Sequence, residues 1–209
     1  MQVALIDYDS GNLHSAEKAL QLMGRDEGAT VIVTADPEVA ARADRIVLPG
    51  DGAFPACRAA LGQVDGMAEA LHDAVLNRGV PFLGICVGMQ MLATTGHEYR
   101  ETPGLDWIGG QVRAIDAPGR KVPHMGWNDL VIDHPHPVLN GITSGDHAYF
   151  VHSWQFQVDD PAHRLAWTEY GGPVTAVVGR DNIIGAQFHP EKSQAVGLRL
   201  IGNFLRWKP

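Results

Sequence analysis

Cysteine is nearly absent from this chain, and its scarcity excludes a good deal. Cys57 and Cys86 are the only two in 209 residues, too few for a disulfide framework and at a spacing that matches no zinc motif. Long apolar runs are missing as well. The stretch "VPFLGICVGM" is short and broken by glycine, well under the roughly 18 residues of a membrane-spanning helix. The start "MQVALIDYDSGN" has no basic segment ahead of its apolar run, so it does not read as a secretion signal. Basic residues are in deficit: 16 Lys and Arg stand against 24 Asp and Glu, a formal net charge of -8. A phosphate-binding surface needs the opposite balance, which argues against nucleic acid as the main partner. Together these absences point to a reducing, cytoplasmic setting without a membrane span, in which a thiol stays free; no metal and no cofactor are expected.

What is present reads as a folded chain. At 45% hydrophobic and 19% charged, the composition is globular, and the length suits a single domain over residues 1–209. The first half alternates β-type runs with helical patterns. "VALIDY" (Val3 to Tyr8), "TVIVT", "RIVLPG" (Arg45 to Gly50) and "PFLGI" read as buried strands. Between them, "LHSAEKALQLMG" places Leu13, Ala16, Leu20 and Met23 at helical spacing, with Gly24 as its C-cap. "DPEVAARA" starts with Asp36 as N-cap and Pro37 at the first helical position. "MAEALHDAVLNRG" is amphipathic and closes at Gly79, and a helix is expected through "GMQMLA". From about Gly110 the runs become short, aromatic or β-branched, divided by Gly, Pro and Asp turns. "SQAVGLRLIGNFLRW" closes as a helix with Ser193 as N-cap. The expected fold is α/β: a mostly parallel central sheet flanked by helices, with antiparallel strands added to that same sheet in the C-terminal half.

Cys86 lies at the end of the fourth strand, where such sheets gather their ligands. A free cysteine is ordinarily a small buried hydrophobe. Its neighbours here argue otherwise. Strand, sharp turn of small residues, then helix is the setting of a nucleophile elbow, and Gly84 and Gly88 leave nothing to crowd the turn. A helix start favours thiolate, and the Val87 N–H is placed for an oxyanion. In "QFHPEKS", His189 and Glu191 stand two apart at the end of a strand-like run. On a strand that spacing puts both on one side, so Glu191 can orient the His189 ring as third member of a triad. The loop "LPGDGAF" carries Gly50, Asp51 and Gly52 after the third strand. It is neither a dinucleotide fingerprint nor a phosphate loop, but its backbone can supply a second oxyanion donor. Read blandly, the last two fragments are a surface turn and a strand-to-helix turn.

Taken together these residues resemble the class I, triad-type glutamine amidotransferase family. The resemblance runs through "YDSGNLHSAEKAL", "LPGDGAF", "GICVGMQ", "KVPHMGWN", "YFVHSW" and "FHPEKSQ", over nearly the whole chain. It is similar above all to the branch that supplies ammonia in histidine biosynthesis, for which "HMGWN" and "YFVHS" are the specific stretches. The resemblance implies a flavodoxin-like fold and a Cys86–His189–Glu191 glutaminase. It implies that Gln90, Glu98 and the backbone around His152, Ser153 and Trp154 hold glutamine, with Glu98 on its ammonium. It further implies a heterodimer with a cyclase subunit built as a β/α barrel. His124, Trp127, Asn128, Tyr149 and Lys192 are expected on the face toward that partner, with ordinary packing and a solvated lysine as the competing reading. Low glutaminase activity without the partner is expected, because the glycine loop can turn its N–H away.

Asp51 departs from the small apolar residue usual at its position, and its side chain is expected to face solvent or a cation. Trp154 replaces a more usual tyrosine or phenylalanine, and "TTGHE" an acidic run. Two other readings stay open at this point: an amidotransferase subunit of anthranilate, aminodeoxychorismate or pyridoxal phosphate synthesis, and a non-catalytic flavodoxin-like regulatory module. His134 and His136 in "DHPHPV" read as an extended turn rather than a metal site. His14, His72, His97, His147 and His163 read as solvated or locally bonded, and Cys57 as a packed helical thiol.

Overall fold

A computed structural model describes residues 1–209. The first half runs β1 (Gln2–Ile6), α1 (Leu13–Gly24), β2 (Thr30–Thr34), α2 (Pro37–Arg42), β3 (Arg45–Leu48), α3 (Phe54–Gln63), α4 (Met67–His72), β4 (Phe82–Ile85) and α5 (Val87–Gln90). The second half runs β5 (Thr95–Gly96), β6 (Thr102–Pro103), β7 (Gly110–Ala114), β8 (His124–Asp129), β9 (Val131–Ile132), β10 (His147–His152), β11 (Trp154–Val158), β12 (Arg164–Glu169), β13 (Pro173–Arg180), β14 (Ile183–Ala186) and α6 (Gln194–Arg206).

Eight strands form the central sheet in the order β2-β1-β3-β4-β14-β13-β12-β9. The strands from β2 to β14 run parallel, and β13, β12 and β9 extend the sheet antiparallel. β3, β4 and β14 are buried at every residue, which is why they read as unbroken runs rather than alternating ones. Helices α1 and α6 pack together, and α2 packs on α4, the two-sided cover that right-handed crossovers produce. Asp36 caps α2 as expected, its carboxylate accepting from Glu38 N at 2.8 Å with Pro37 in the first turn.

Several expectations are corrected. The C-terminal strands do not all join one sheet. β11-β7-β5-β6 form a separate four-stranded sheet, and β8 pairs with β10 in a ribbon of its own. Strand β14 was expected antiparallel, but lies parallel to β4 with Ala186 opposite Ile85. Gly24 is the last residue of α1 and not a left-handed cap; Gly28, at φ +61°, turns the chain instead. Gly24 serves packing, since a Cβ there would lie 2.8 Å from Ala29 Cβ. The helix expected through "GMQMLA" stops at Gln90 after about one turn. Ser193 stands at the start of α6 without a side-chain cap bond, because its hydroxyl is used elsewhere. The helix begun at α4 does close at Gly79, at φ +70°, after a wider π-type turn over Asp73–Asn77.

Between β3 and the elbow the backbones touch. A Cβ on Gly88 would lie 1.9 Å from the Leu48 carbonyl oxygen, and one on Gly84 would lie 2.6 Å from Gly88 O. No side chain fits either place. These two glycines bring the loop after β3 against the residues that follow Cys86.

Candidate active site

Cys86 sits at φ +55° and ψ -112°, a strained backbone for a residue with a Cβ, costing about 1–3 kcal/mol. Its N–H still continues the ladder, donating to Ala186 O at 2.8 Å. The strand therefore runs up to the cysteine and turns there, the geometry of an elbow. With only one helical turn behind it, α5 contributes free N–H groups more than a macrodipole.

A cavity of about 210 Å³ opens above the sulfur. Asp51, Gly52, Cys86, Val87, Gln90, Glu98, His152, Ser153 and Trp154 line it, joined by Pro123 and Val151, which sequence reasoning missed. Gly50 is buried behind this wall. Glu98 has one oxygen committed: Oε2 accepts from Phe54 N at 2.7 Å, closing the start of α3, whose own N-cap makes no side-chain bond. Its other oxygen remains for a cation in the cavity.

His189 and Glu191 are buried beside Cys86. His189 Nδ1 bonds Glu191 Oε1 at 2.9 Å, with the two side chains 5% and 3% exposed. The reason differs from the one expected. Both residues lie beyond the end of β14, and a 3-10 turn over Pro190–Lys192, not strand alternation, folds Glu191 back onto the ring. Nε2 has no hydrogen-bond partner and is left for chemistry. Burial alone would lower the ring's proton affinity. The closeness of the Cys86 sulfur, the bond to Glu191 and the charges of both outweigh it and raise the pKa to about 10. Ser193 steadies this corner, donating to His189 O at 2.7 Å and accepting from Tyr149 N at 2.9 Å.

The oxyanion loop is tethered from outside. Tyr8 OH donates to Pro49 O. Ser10 Oγ donates to Asp51 O at 2.9 Å, accepts from Asp51 N at 3.3 Å, and lies 3.1 Å from Cys57 Sγ. The Asp51 N–H therefore points at Ser10 and not at the cavity. The Asp51 residue is exposed to solvent, as expected. Cys57 is buried in α3 as expected, but its thiol also donates to Asp51 O at 3.5 Å. Neither Tyr8 nor Ser10 was singled out from the sequence; "YDSGN" carried them within a longer matching stretch.

His124, expected on the partner face, is not at the surface of this chain. It is buried, stacked on Tyr170 at 4.0 Å, and bonded through Nδ1 to His152 Nε2 at 3.0 Å. His152 Nδ1 in turn bonds Trp154 O at 2.8 Å. That carbonyl only accepts, which fixes both rings as neutral Nδ1–H tautomers. Burial pushes His152 down to about 3 and His124 down to about 4. Trp127 and Lys192 are exposed and Tyr149 and Asn128 half-buried, with Trp127 and Tyr149 edge to face at 5.8 Å. Met125 and Val122 add exposed apolar surface nearby.

These shifts set a pH dependence of stability. Between about pH 4 and 6.5 the unfolded chain binds protons that His124 and His152 refuse when folded, so stability falls as pH drops through that range. His189 has the opposite sign: from 6.5 toward 10 the folded chain holds a proton the unfolded one has lost, so stability falls as pH rises. The thermal midpoint across a buffer series is expected to peak near pH 6.5. A midpoint flat from pH 4.5 to 6.5 would contradict a neutral histidine pair.

No three His, Cys, Asp or Glu side chains converge as a metal site. His136 Nδ1 is occupied by Val138 N, and the ring packs on Trp207. His97 and His163, expected to be solvated or bonded, each bury a ring nitrogen without a partner. No helix is long and apolar enough to cross a membrane.

Known proteins share both pattern and shape. The class-I glutamine amidotransferase family model matches residues 4–206. The chain is 64% identical over 212 residues to the imidazole glycerol phosphate synthase subunit HisH of Ruegeria pomeroyi, and 60% identical over 214 residues to that of Rhodospirillum rubrum, each alignment covering both chains fully. A crystal structure of a glutamine amidotransferase superposes with a TM-score of 0.73 at 21% identity, over 98% of this chain and 97% of that one. Another, from Thermotoga maritima, does so at 0.61 and 18%, over 91% and 76%. With a cysteine elbow, a buried His–Glu pair and a match from residue 4 to residue 206, the chain belongs to the class I glutamine amidotransferase family.

Proposed function

We propose that this chain, as a single domain over residues 1–209, is the glutaminase subunit of an imidazole glycerol phosphate synthase. It hydrolyses glutamine and passes ammonia to a cyclase subunit, a β/α barrel held in a heterodimer. The cyclase uses the ammonia to convert PRFAR to imidazole glycerol phosphate and AICAR in cytoplasmic histidine biosynthesis. The observation that carries the reading is the buried His189–Glu191 pair beside a strained Cys86, under a cavity walled by Gln90 and Glu98. The name carried by relatives 64% and 60% identical over full length favours this pathway over other amidotransferase partners. A regulatory module would have no use for a strained cysteine, since strain persists where function requires it.

The chemistry follows from the geometry. Glu98 takes the ammonium of glutamine and Gln90 its head group. The Cys86 thiolate attacks the side-chain carboxamide carbon, and the oxygen becomes an oxyanion facing Val87 N–H. His189, protonated and oriented by Glu191, gives its proton to the nitrogen as the C–N bond breaks. Ammonia leaves and a glutamyl thioester remains. The neutral imidazole then takes a proton from water, whose oxygen attacks the thioester to release glutamate and restore the thiolate. The exposed Trp127, Met125 and Lys192 form the face offered to the cyclase.

The second oxyanion donor is turned away while Ser10 holds the Asp51 N–H, so a low basal rate is expected of the chain alone. Ser10→Ala is expected to raise glutamine hydrolysis by the chain alone about fivefold, the worth of one hydrogen bond near 1 kcal/mol. A coupled glutamate assay measures it. For the function itself, the chain is mixed with a purified cyclase subunit. A stable one-to-one complex with glutamine-dependent turnover of PRFAR is expected; no complex, or a complex that turns over with ammonium but not with glutamine, would refute the assignment.

A further inference from the structure

Gln187 is fully buried, one residue past β14 and two before His189, and it lies between two groups the reaction uses. Its orientation is dictated by its neighbours. The Trp154 carbonyl only accepts, so Gln90 must present its amide nitrogen there, at 3.1 Å. That nitrogen carries a second hydrogen, which reaches Gln187 Oε1 at 3.0 Å. Gln187 is thereby obliged to turn its own nitrogen the other way. Nε2 donates to Cys86 Sγ at 3.7 Å. His189 Nε2, by contrast, makes no hydrogen bond, so the hydrogen bond that reaches the sulfur comes from Gln187.

We infer that Gln187 is a further catalytic residue of this site: its side-chain N–H supports negative charge on the Cys86 sulfur and aims it, while its oxygen ties the sulfur to Gln90. A donor binds a thiolate more strongly than a neutral thiol, so this contact favours the reactive form. Because Gln187 is enclosed, no water replaces the donor when it is removed. The inference rests on Cys86 being the nucleophile, and its test needs no glutamine.

The test is carboxamidomethylation of the full chain by iodoacetamide across a pH series, followed separately for the Cys86 and Cys57 peptides by mass spectrometry. Gln187→Met keeps the length of the side chain and removes the donor. It is expected to slow Cys86 alkylation at neutral pH about tenfold and move its pH midpoint upward, with Cys57 unchanged. In the glutaminase assay kcat should fall more than KM rises. Gln187→Asn, whose shorter amide cannot span to the sulfur, should shift the midpoint in the same direction and guards against misfolding of the first variant. Alkylation of Cys86 as fast in both variants as in the native chain overturns the inference, even if KM rises, because Gln187 would then act only through Gln90. If native Cys86 reacts no faster than Cys57, the nucleophile reading falls and takes this inference with it.

Discussion

Replacing Cys86 with alanine is expected to lower glutamine-dependent turnover of the assembled synthase at least about 10⁴-fold while leaving the ammonium-dependent reaction within twofold of native. The two halves of that result have different causes. Without the sulfur no thioester forms, and the water that His189 would activate has no acyl-enzyme to attack. The ammonium reaction belongs to the cyclase and needs only an intact complex. Alanine removes one atom from a buried position without adding bulk, and the main-chain bond from residue 86 to Ala186 O does not involve the side chain. Nitrogen-source assays on one complex preparation measure both. Loss of both activities would mean that the thiol supports the fold, and the catalytic assignment would fail.

Gly88→Ala should be as damaging by a different route. The added Cβ would lie 1.9 Å from Leu48 O and 2.9 Å from Leu48 C, both backbone atoms at the end of a buried central strand. Neither can rotate away as a side chain could. The elbow and the loop after β3 must separate, which costs roughly 3–5 kcal/mol and lowers the thermal midpoint by about 10 °C or more. Glutamine hydrolysis should be lost with it, since the same separation moves Val87 and Gly50 apart. Gly62→Ala is the control. In the last turn of α3, its Cβ meets nothing closer than Arg58 Nη1 at 3.8 Å, and no loss, or a gain of up to about 0.5 kcal/mol, is expected from helix propensity. A Gly88→Ala chain as stable as native would mean that the close approach does not exist.

The parallel half of the fold was legible because burial on both faces leaves a plain signature. "RIVL" and "FLGI" carry no alternation, and the helix ahead of "RIVL" announces its start with Asp36 and Pro37. The elbow was legible from Gly84, Cys86 and Gly88 for the same kind of reason, a steric demand met by residue type. Pairing in the second half was not. A strand such as "IIGA" states that it is buried, not which neighbour it takes or in which direction, and β14 proved parallel to β4. His124 misled because "HMGWN" places His124, Gly126 and Asn128 on one side of β8 and Met125 and Trp127 on the other. The polar side turned out to be the inward one, paid for by the His152 bond. Gln187 had a signal that went unread: a lone amide inside the apolar run "IIGAQF" must find partners when buried.

The parallel pairing of β4 with β14 also bears on how the enzyme comes into being. On a ribosome, the segment bearing the sulfur emerges about a hundred residues before the one bearing the imidazole. Joining them closes a long loop, among the slowest steps a chain of this kind undertakes. A nascent or clipped molecule thus holds an inert cysteine, and ammonia release begins only when the whole sheet has closed. Activity is in this sense a readout of completed folding, so unfinished copies do not squander the cell's glutamine.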